Sequence, residues 1–376
     1  MMTPGARADA RREPARNRSG RLNRAAALIR SGGLVILTAV AAAACEAAPD
    51  RSSSMFVELT EVLSVGLVDG PEEQVFGQIR DVRGLPDGSF LVLDGQAPAI
   101  RWFDPEGNQR AAVTSQGEGP GELAQPVAMT TVDEHRLGVL DPGNQRLLIF
   151  RLEEEGFSYD TSIRVSLNPY GMYDGSICGL ADRWVVHALA SDGSTMQVYT
   201  QTSGEREEGF QEAVPVDEAE FGMYTFIAEP SINSGRLLCS GAWDRIISVP
   251  LRQDTVRAFS ASGSPVWQHA VKGIVPEGYQ VEPVFGFASE SGGSHVAVSA
   301  MRWDETAVLV QYRFWRGSRT DPDSTAVESV VLDPESGEEL GRTESLPRLS
   351  DARGPYVWGF EHEPFPRVRV WRREGG

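Results

Sequence analysis

The segment Leu137–Phe150 (Leu-Gly-Val-Leu-Asp-Pro-Gly-Asn-Gln-Arg-Leu-Leu-Ile-Phe) constrains the fold more than any other stretch of this 376-residue chain. Its apolar runs flank Asp141-Pro-Gly-Asn144, four residues that favour a tight turn, so it reads as strand, turn, strand. The same frame stands 47 residues earlier: Phe90-Leu-Val-Leu-Asp94 leads to Phe103, as far beyond its aspartate as Phe150 is beyond Asp141. A hairpin cannot bury both of its faces alone, so units repeated at this spacing must pack against one another.

Four more hairpins follow the outline. They are Trp184–Gly193 with Met196–Tyr199, Leu237–Asp244 with Ile246–Val249, His295–Glu305 with Val308–Tyr312, and Tyr356–Glu363 with Val368–Trp371. With Asp94, Asp141, Asp192, Asp244, Asp304 and Glu361 as turn markers, the intervals are 47, 51, 52, 60 and 57 residues. Such periods suit four-stranded blades with variable outer loops, and no long amphipathic helical pattern interrupts them. The sixth hairpin is short of a strand, and the alternating Phe56–Val65 supplies it, pairing the two ends of the ring. The expectation is an all-β, six-bladed β-propeller of four-stranded antiparallel blades over residues 55–376, its ring closed by the N-terminal strand.

The second unit resembles an NHL-type repeat. Gly119-Pro-Gly-Glu-Leu123 and Pro126 match the opening of such a blade, and Val139, Asp141, Asn144, Arg146 and Phe150 match its body with the spacing intact. The first unit keeps Asp94 and Phe103 but has Ala97 and Ala99 in place of the Asn and Arg. The chain is similar to bacterial lipid-anchored six-bladed propellers. The resemblance implies a fold more than an activity, because NHL-type blades serve in interaction modules, in a peptide-amidating lyase and in lactone-hydrolysing relatives.

The first 44 residues read as an address. Arg is frequent through Arg30, and Leu34–Ala44 is then an apolar run too short to span a bilayer but suited to a secretory signal. Ala42-Ala-Ala-Cys45 resembles a bacterial lipobox, with Ala42 where Leu is preferred, which makes Cys45 the lipid-attachment residue. Ordinary cleavage after Ala-x-Ala would instead leave Cys45 a plain thiol. Residues 45–54 are small and polar, as a tether requires. The expected location is therefore a bacterial envelope, periplasmic or surface, with the membrane engaged through the N-terminal lipid alone. Cys178 and Cys239 fall in neighbouring units and are compatible with a disulfide or with two buried thiols.

The formal charge is −18. The leader's eight Arg against Asp9 and Glu13 make the remainder more acidic still, near −24, which argues against a nucleic-acid partner. Turns between second and third strands, together with links between blades, share one propeller face. That face is expected to display Gly117–Leu123, Asp141–Asn144, Glu361–Glu363 and a ligand-binding set of Trp243, Asp244, Arg302, Trp303, Asp304 and Glu305. Such an acidic and aromatic surface suits a glycan, a peptide, a small molecule or a divalent cation such as calcium. Gly117–Glu122 lacks the Lys-Ser/Thr of a phosphate loop and reads as a blade link. Asp141, Asn144 and Arg146 read as a turn-and-blade signature. His362 between Glu361 and Glu363, and His187 near a strand end, are the candidate acid–base or ligating residues. No Cys/His pattern has zinc spacing and no hydrolase motif occurs. These readings converge on a monomeric, lipid-anchored binding module without an obligatory cofactor; the alternative is a metal-assisted lyase or lactonase working at the channel mouth.

Overall fold

The structure is a computed structural model that describes residues 56, 58–154, 156–167, 175–215, 229–230, 232–251, 253–272, 293–316 and 325–374, with backbone alone at 293–295, 314–316 and 325. The expected signal (1–44), the tether (45–54) and Cys45 lie outside the described residues.

Strand β1 (Leu59–Val65) precedes five sheets formed from consecutive strands. Blade 1 holds β2 (Ile79–Gly84), β3 (Phe90–Asp94), β4 (Ala99–Phe103) and β5 (Gln109–Val113). Blade 2 holds β6 (Ala128–Thr131), β7 (Arg136–Asp141), β8 (Arg146–Glu153) and β9 (Gly156–Arg164). Blade 3 holds β10 (Ser176–Gly179), β11 (Arg183–His187), β12 (Ser194–Thr200) and β13 (Phe210–Glu212). Blade 4 holds β14 (Gly235–Ser240), β15 (Arg245–Pro250), β16 (Thr255–Ser260) and β17 (Pro265–Ala270). Blade 5 holds β18 (Gly293–Arg302), β19 (Val308–Arg316), β20 (Thr325–Leu332) and β21 (Glu339–Thr343). Blade 6 holds β22 (Asp351–Arg353), β23 (Tyr356–Glu361) and β24 (Arg367–Arg373), and β1 completes it by pairing antiparallel with β24. The first strands of the blades touch in series from β2 through β6, β10, β14, β18 and β22, and β22 returns to β2. The fold is the expected six-bladed propeller with the expected closure.

The repeat register differs from the expected one in two blades. Asp94, Asp141, Asp192 and Glu361 do lie at or near the turn between second and third strands. Trp243-Asp244 and Trp303-Asp304 lie instead between first and second strands, on the opposite face. Both kinds of hairpin share period-two alternation and an acidic, glycine-prone turn, so local sequence alone does not separate them. The composite face therefore divides in two. One face carries Gly117–Leu123, Asp141–Asn144 and Glu361–Glu363; the other carries Trp243, Asp244 and Arg302–Glu305.

The core is six interfaces between neighbouring blades, because each sheet is covered on both faces. Leu91, Leu93 and Trp102 of blade 1 meet Leu137, Val139 and Phe150 of blade 2 in one cluster. Trp358, Phe360 and Val368 of blade 6 meet Val82, Phe90 and Val92 of blade 1 in the cluster that closes the ring. Burial on both sides is why β3 and β4 are buried throughout while the outer β5 is not. Close approach also demands glycine: a Cβ on Gly84 would stand 2.1 Å from the Trp358 ring, and one on Gly138 2.6 Å from the Trp184 ring.

The repeated aspartates act as clasps. The fully buried Asp94 carboxylate accepts the backbone N–H groups of Gly77 (2.8 Å) and Gln78 (3.0 Å), which lead into the first strand of its own blade. Asp141 accepts those of Ala124 (3.1 Å) and Gln125 (2.7 Å), at the same offsets of 17 and 16 residues. Blade 2 adds Asn144, whose amide donates to Asp141 (2.9 Å) and to the Gly117 carbonyl (2.8 Å). Arg146 donates to the Glu118 and Glu122 carbonyls, so the glycine-rich segment is a stapled blade link. Blade 1 lacks that Asn and Arg, and Arg101 takes the charge-pairing role at 3.4 Å from Asp94.

Candidate functional site

The first strands run towards one face, where their ends and the turns that follow surround a cavity of about 830 Å³. All six blades contribute, among them Pro86, Val132, Leu180, Ser240, Trp303 and Arg353. Cys178 and Cys239 form a disulfide in its wall, joining β10 of blade 3 to β14 of blade 4 with a Cα–Cα distance of 5.5 Å.

Of the set expected to bind ligand, Arg302, Trp303, Asp304 and Glu305 line this mouth, while Trp243 and Asp244 stand in the neighbouring blade 4 turn outside its lining. Trp303 is buried at 2% exposure, and the Arg373 guanidinium covers its ring at 4.2 Å. Trp243 is also buried, and its indole Nε1 donates to the Glu305 carbonyl (2.9 Å), tying the blade 4 turn to the blade 5 turn. Arg302 lies over Trp243 (5.6 Å to the centroid) and pairs with the Glu305 carboxylate. Asp304 accepts the Thr306 backbone N–H (2.7 Å) and hydroxyl (3.0 Å), so it braces its own turn. Asp244 is exposed in the left-handed region (φ 52°) and accepts the Ala261 N–H. Trp303 thus forms part of the wall, Trp243 braces it through Glu305, and the charged groups of the set that line the cavity are Arg302, Asp304 and Glu305.

A second feature escaped the sequence reading: Asp81-Val-Arg83 and Asp351-Ala-Arg353 are one motif on the first strands of blades 1 and 6. Asp81 accepts the Met129 N–H of blade 2 (3.1 Å), and Asp351 accepts the Gly84 N–H of blade 1 (2.9 Å). Each inner-strand aspartate so clips the next blade. Arg83 pairs with Asp81 at 3.0 Å and donates to the Met129 carbonyl, while Arg353 donates to Thr131 Oγ1 (2.7 Å). Burial by itself would lower the Arg83 pKa, but Asp81 and Asp351 outweigh it and raise it. Burial raises the Asp351 carboxyl despite Arg353 and Arg83 nearby. The signal available in the sequence was Asp and Arg two residues apart, the spacing that puts both on one face of a strand.

The acid–base candidates sit at the other end of the channel and are not brought together. His362 Nε2 bonds the Ile79 carbonyl (3.0 Å), a contact from blade 6 to blade 1. Burial and then the Arg348 charge depress its pKa. Glu361 pairs with Arg367 and, at 3.7 Å, with Arg369. His187 occupies the strand-end position that Asp94 and Asp141 hold in their blades, and it packs against Gly235. Its pKa is pushed down to about 3 by burial, with Arg257 and Arg236 adding to the effect. Among the described residues, no group of three His, Cys, Asp or Glu side chains is arranged to hold a metal ion.

No protein-family model and no curated protein matches the chain. Solved structures do resemble it. A predicted exported protein from Bacteroides fragilis is 12% identical, with 86% of this chain and 96% of that one covered at a TM-score of 0.55. A member of the DUF4221 family from Bacteroides vulgatus is 11% identical, with 86% and 98% covered at a TM-score of 0.53. At such identities the likeness shows the fold, and with the six closed sheets it makes this chain a six-bladed β-propeller.

Proposed function

We propose that this propeller is an exported, lipid-anchored binding module of a bacterial envelope, acting as a monomer and receiving a small molecule, glycan or protein segment at the channel mouth. The observation that carries the reading is the cavity of about 830 Å³, walled by all six blades and braced by a disulfide and two buried indoles. A concave site on rigid turns, with a few charged groups at its rim, is the usual form of a ligand site. Export is supported by the signal pattern before Cys45, by the disulfide, which suits an oxidising compartment, and by the predicted export of the Bacteroides fragilis neighbour. The NHL-like residues of blade 2 fit the same picture, since Asp141, Asn144 and Arg146 direct their bonds into the fold and leave recognition to the divergent turns.

Two experiments test it. Full-length protein should select ligands on a glycan and peptide array, and joint replacement Arg302→Ala with Glu305→Ala should weaken the selected interaction at least tenfold. Equal binding by wild type and variant would reject the mouth. Cys45→Ala should release the protein from membranes, and unchanged partition would reject the anchor. A thermal-shift series with calcium, zinc and EDTA separates a metal-assisted role, which calls for a saturable metal-dependent rise in melting temperature.

A further inference from the structure

Beneath the mouth the channel narrows to a cavity of about 40 Å³, room for roughly three waters on the same measure. Arg83 and Leu237 line both spaces, so the small cavity is the floor of the large one. Among the described residues its charged lining is Arg80, Arg83, Arg236 and Arg348 against the carboxylate of Asp81. In a chain of charge −18 this lining of the described residues is rich in positive charge.

Asp81 already serves Arg83. Arg80 and Arg348 have no carboxylate partner among the described residues, and Arg348 rests on the Phe360 ring at 4.2 Å. Arg348 also lies within the electrostatic reach of Arg313 and Arg236; burial first, and then these two charges, pull its pKa down to about 9. A buried cation is costly unless an anion or a set of hydrogen bonds compensates it. The Ser176 hydroxyl lines the same cavity, buried and without a hydrogen-bond partner. Planar N–H forks and a spare O–H donor around a space of this size match the oxygen atoms of a carboxylate, sulfate or phosphate.

We propose that this channel floor is an oxyanion site, filled by a small inorganic oxyanion or by the carboxylate or phosphate end of the ligand that enters the mouth. The second form rests on the binding-module reading above; the first does not. The grip comes from Arg80, Arg83, Arg236 and Arg348, with Ser176 donating a fifth contact. The arginines approach from blades 1, 4 and 6 and Ser176 from blade 3, so an anion here would also link blades around the axis.

Isothermal titration of the full-length protein with sodium phosphate, sulfate and acetate, each balanced with sodium chloride to constant ionic strength, tests this. At least one oxyanion should bind saturably with one site per chain, and chloride should bind at least tenfold more weakly. Arg348→Gln should weaken that binding at least tenfold, while Arg110→Gln on the outer surface should leave it unchanged. Should Arg348→Gln fail to fold, Ser176→Ala removes one donor and should weaken binding about threefold to tenfold. Absence of saturable uptake of all three oxyanions, equal binding of chloride, or unchanged affinity in the folded channel variants would overturn the proposal. Oxyanion binding with an array phenotype lost at the mouth variants supports both readings; array binding without oxyanion uptake sinks this one and leaves the module intact.

Discussion

Replacing Asp141 with Ala probes the clasp that the repeat encodes. Its carboxylate is fully buried and accepts two backbone N–H groups of the blade link, with the Asn144 amide as a third donor and Arg146 Nε at 3.8 Å. Truncation leaves the Ala124 and Gln125 amides of the part-buried blade link without their acceptor. Each buried, unsatisfied group costs about 1–3 kcal/mol. Arg146 keeps the Glu118 and Glu122 carbonyls, so its charge is not stranded and the lost pairing adds little. Two such groups, only part-buried, sum to roughly 2–4 kcal/mol. For a propeller of about 300 residues, an unfolding entropy near 2.1 cal/mol/K per residue converts this to a melting-temperature loss of about 3–6 °C. Asp94→Ala should cost at least as much, because Gly77 and Gln78 stand where Ala124 and Gln125 do and the buried Arg101 loses its carboxylate. The comparison is Asp192→Ala, an exposed turn aspartate that bonds Ser194 and pairs with Arg206, for which under about 1 kcal/mol is expected. Calorimetry of the three variants decides the matter. If Asp94 and Asp141 cost no more than Asp192, the clasp argument is wrong.

Reducing the Cys178–Cys239 disulfide, or replacing both cysteines with Ser, opens a 61-residue separation and should cost about 4 kcal/mol, read as a lower melting temperature under reductant that is absent in the double variant. Gly84→Ala should destabilise by about 1–3 kcal/mol or more, since its Cβ would overlap the Trp358 ring, and denaturant melts giving wild-type midpoints would refute that packing. His187 should make stability fall with acid. The unfolded imidazole takes up a proton below about pH 6.5 while the folded one, depressed to about 3, stays neutral. The contribution is complete above 6.5 and is lost as pH falls towards 3, at up to about 1.4 kcal/mol per pH unit. A folded His187→Gln variant should show a shallower fall over that window, and an identical pH profile would exclude the assignment.

Much of this was legible locally. Alternation with period two, an acidic turn and an aromatic residue at a set distance beyond it are short-range properties, so hairpins and their number could be read by eye. The closing strand was legible too, since Phe56–Val65 reads as a strand and the last hairpin lacked a neighbour. Blade phase was not, as Trp243-Asp244 and Trp303-Asp304 demonstrate: a hairpin of first and second strands obeys the same rules as one of second and third. Which face a turn occupies follows from its strand's place in the ring, which is a property of the whole chain.

The site divides in the same way. Asp244, Arg302, Asp304 and Glu305 were identifiable as charged turn residues, and the structure sets the last three in the lining of one mouth while Asp244 stays outside it. The Asp-x-Arg pairs of β2 and β22 and the arginines of the channel floor were hidden, because they lie far apart in sequence and meet through ring closure alone. His187 and His362 drew attention because histidine titrates near neutrality, and burial, visible only in the fold, lowers the pKa of both by removing the water that would stabilise their charged forms. The sequence by itself determined the unit, the count and the clasping aspartates, all of which depend on neighbours within about 50 residues. The tertiary structure decided which turns share a face, which cysteines meet and where positive charge collects, because those depend on six blades converging on one axis.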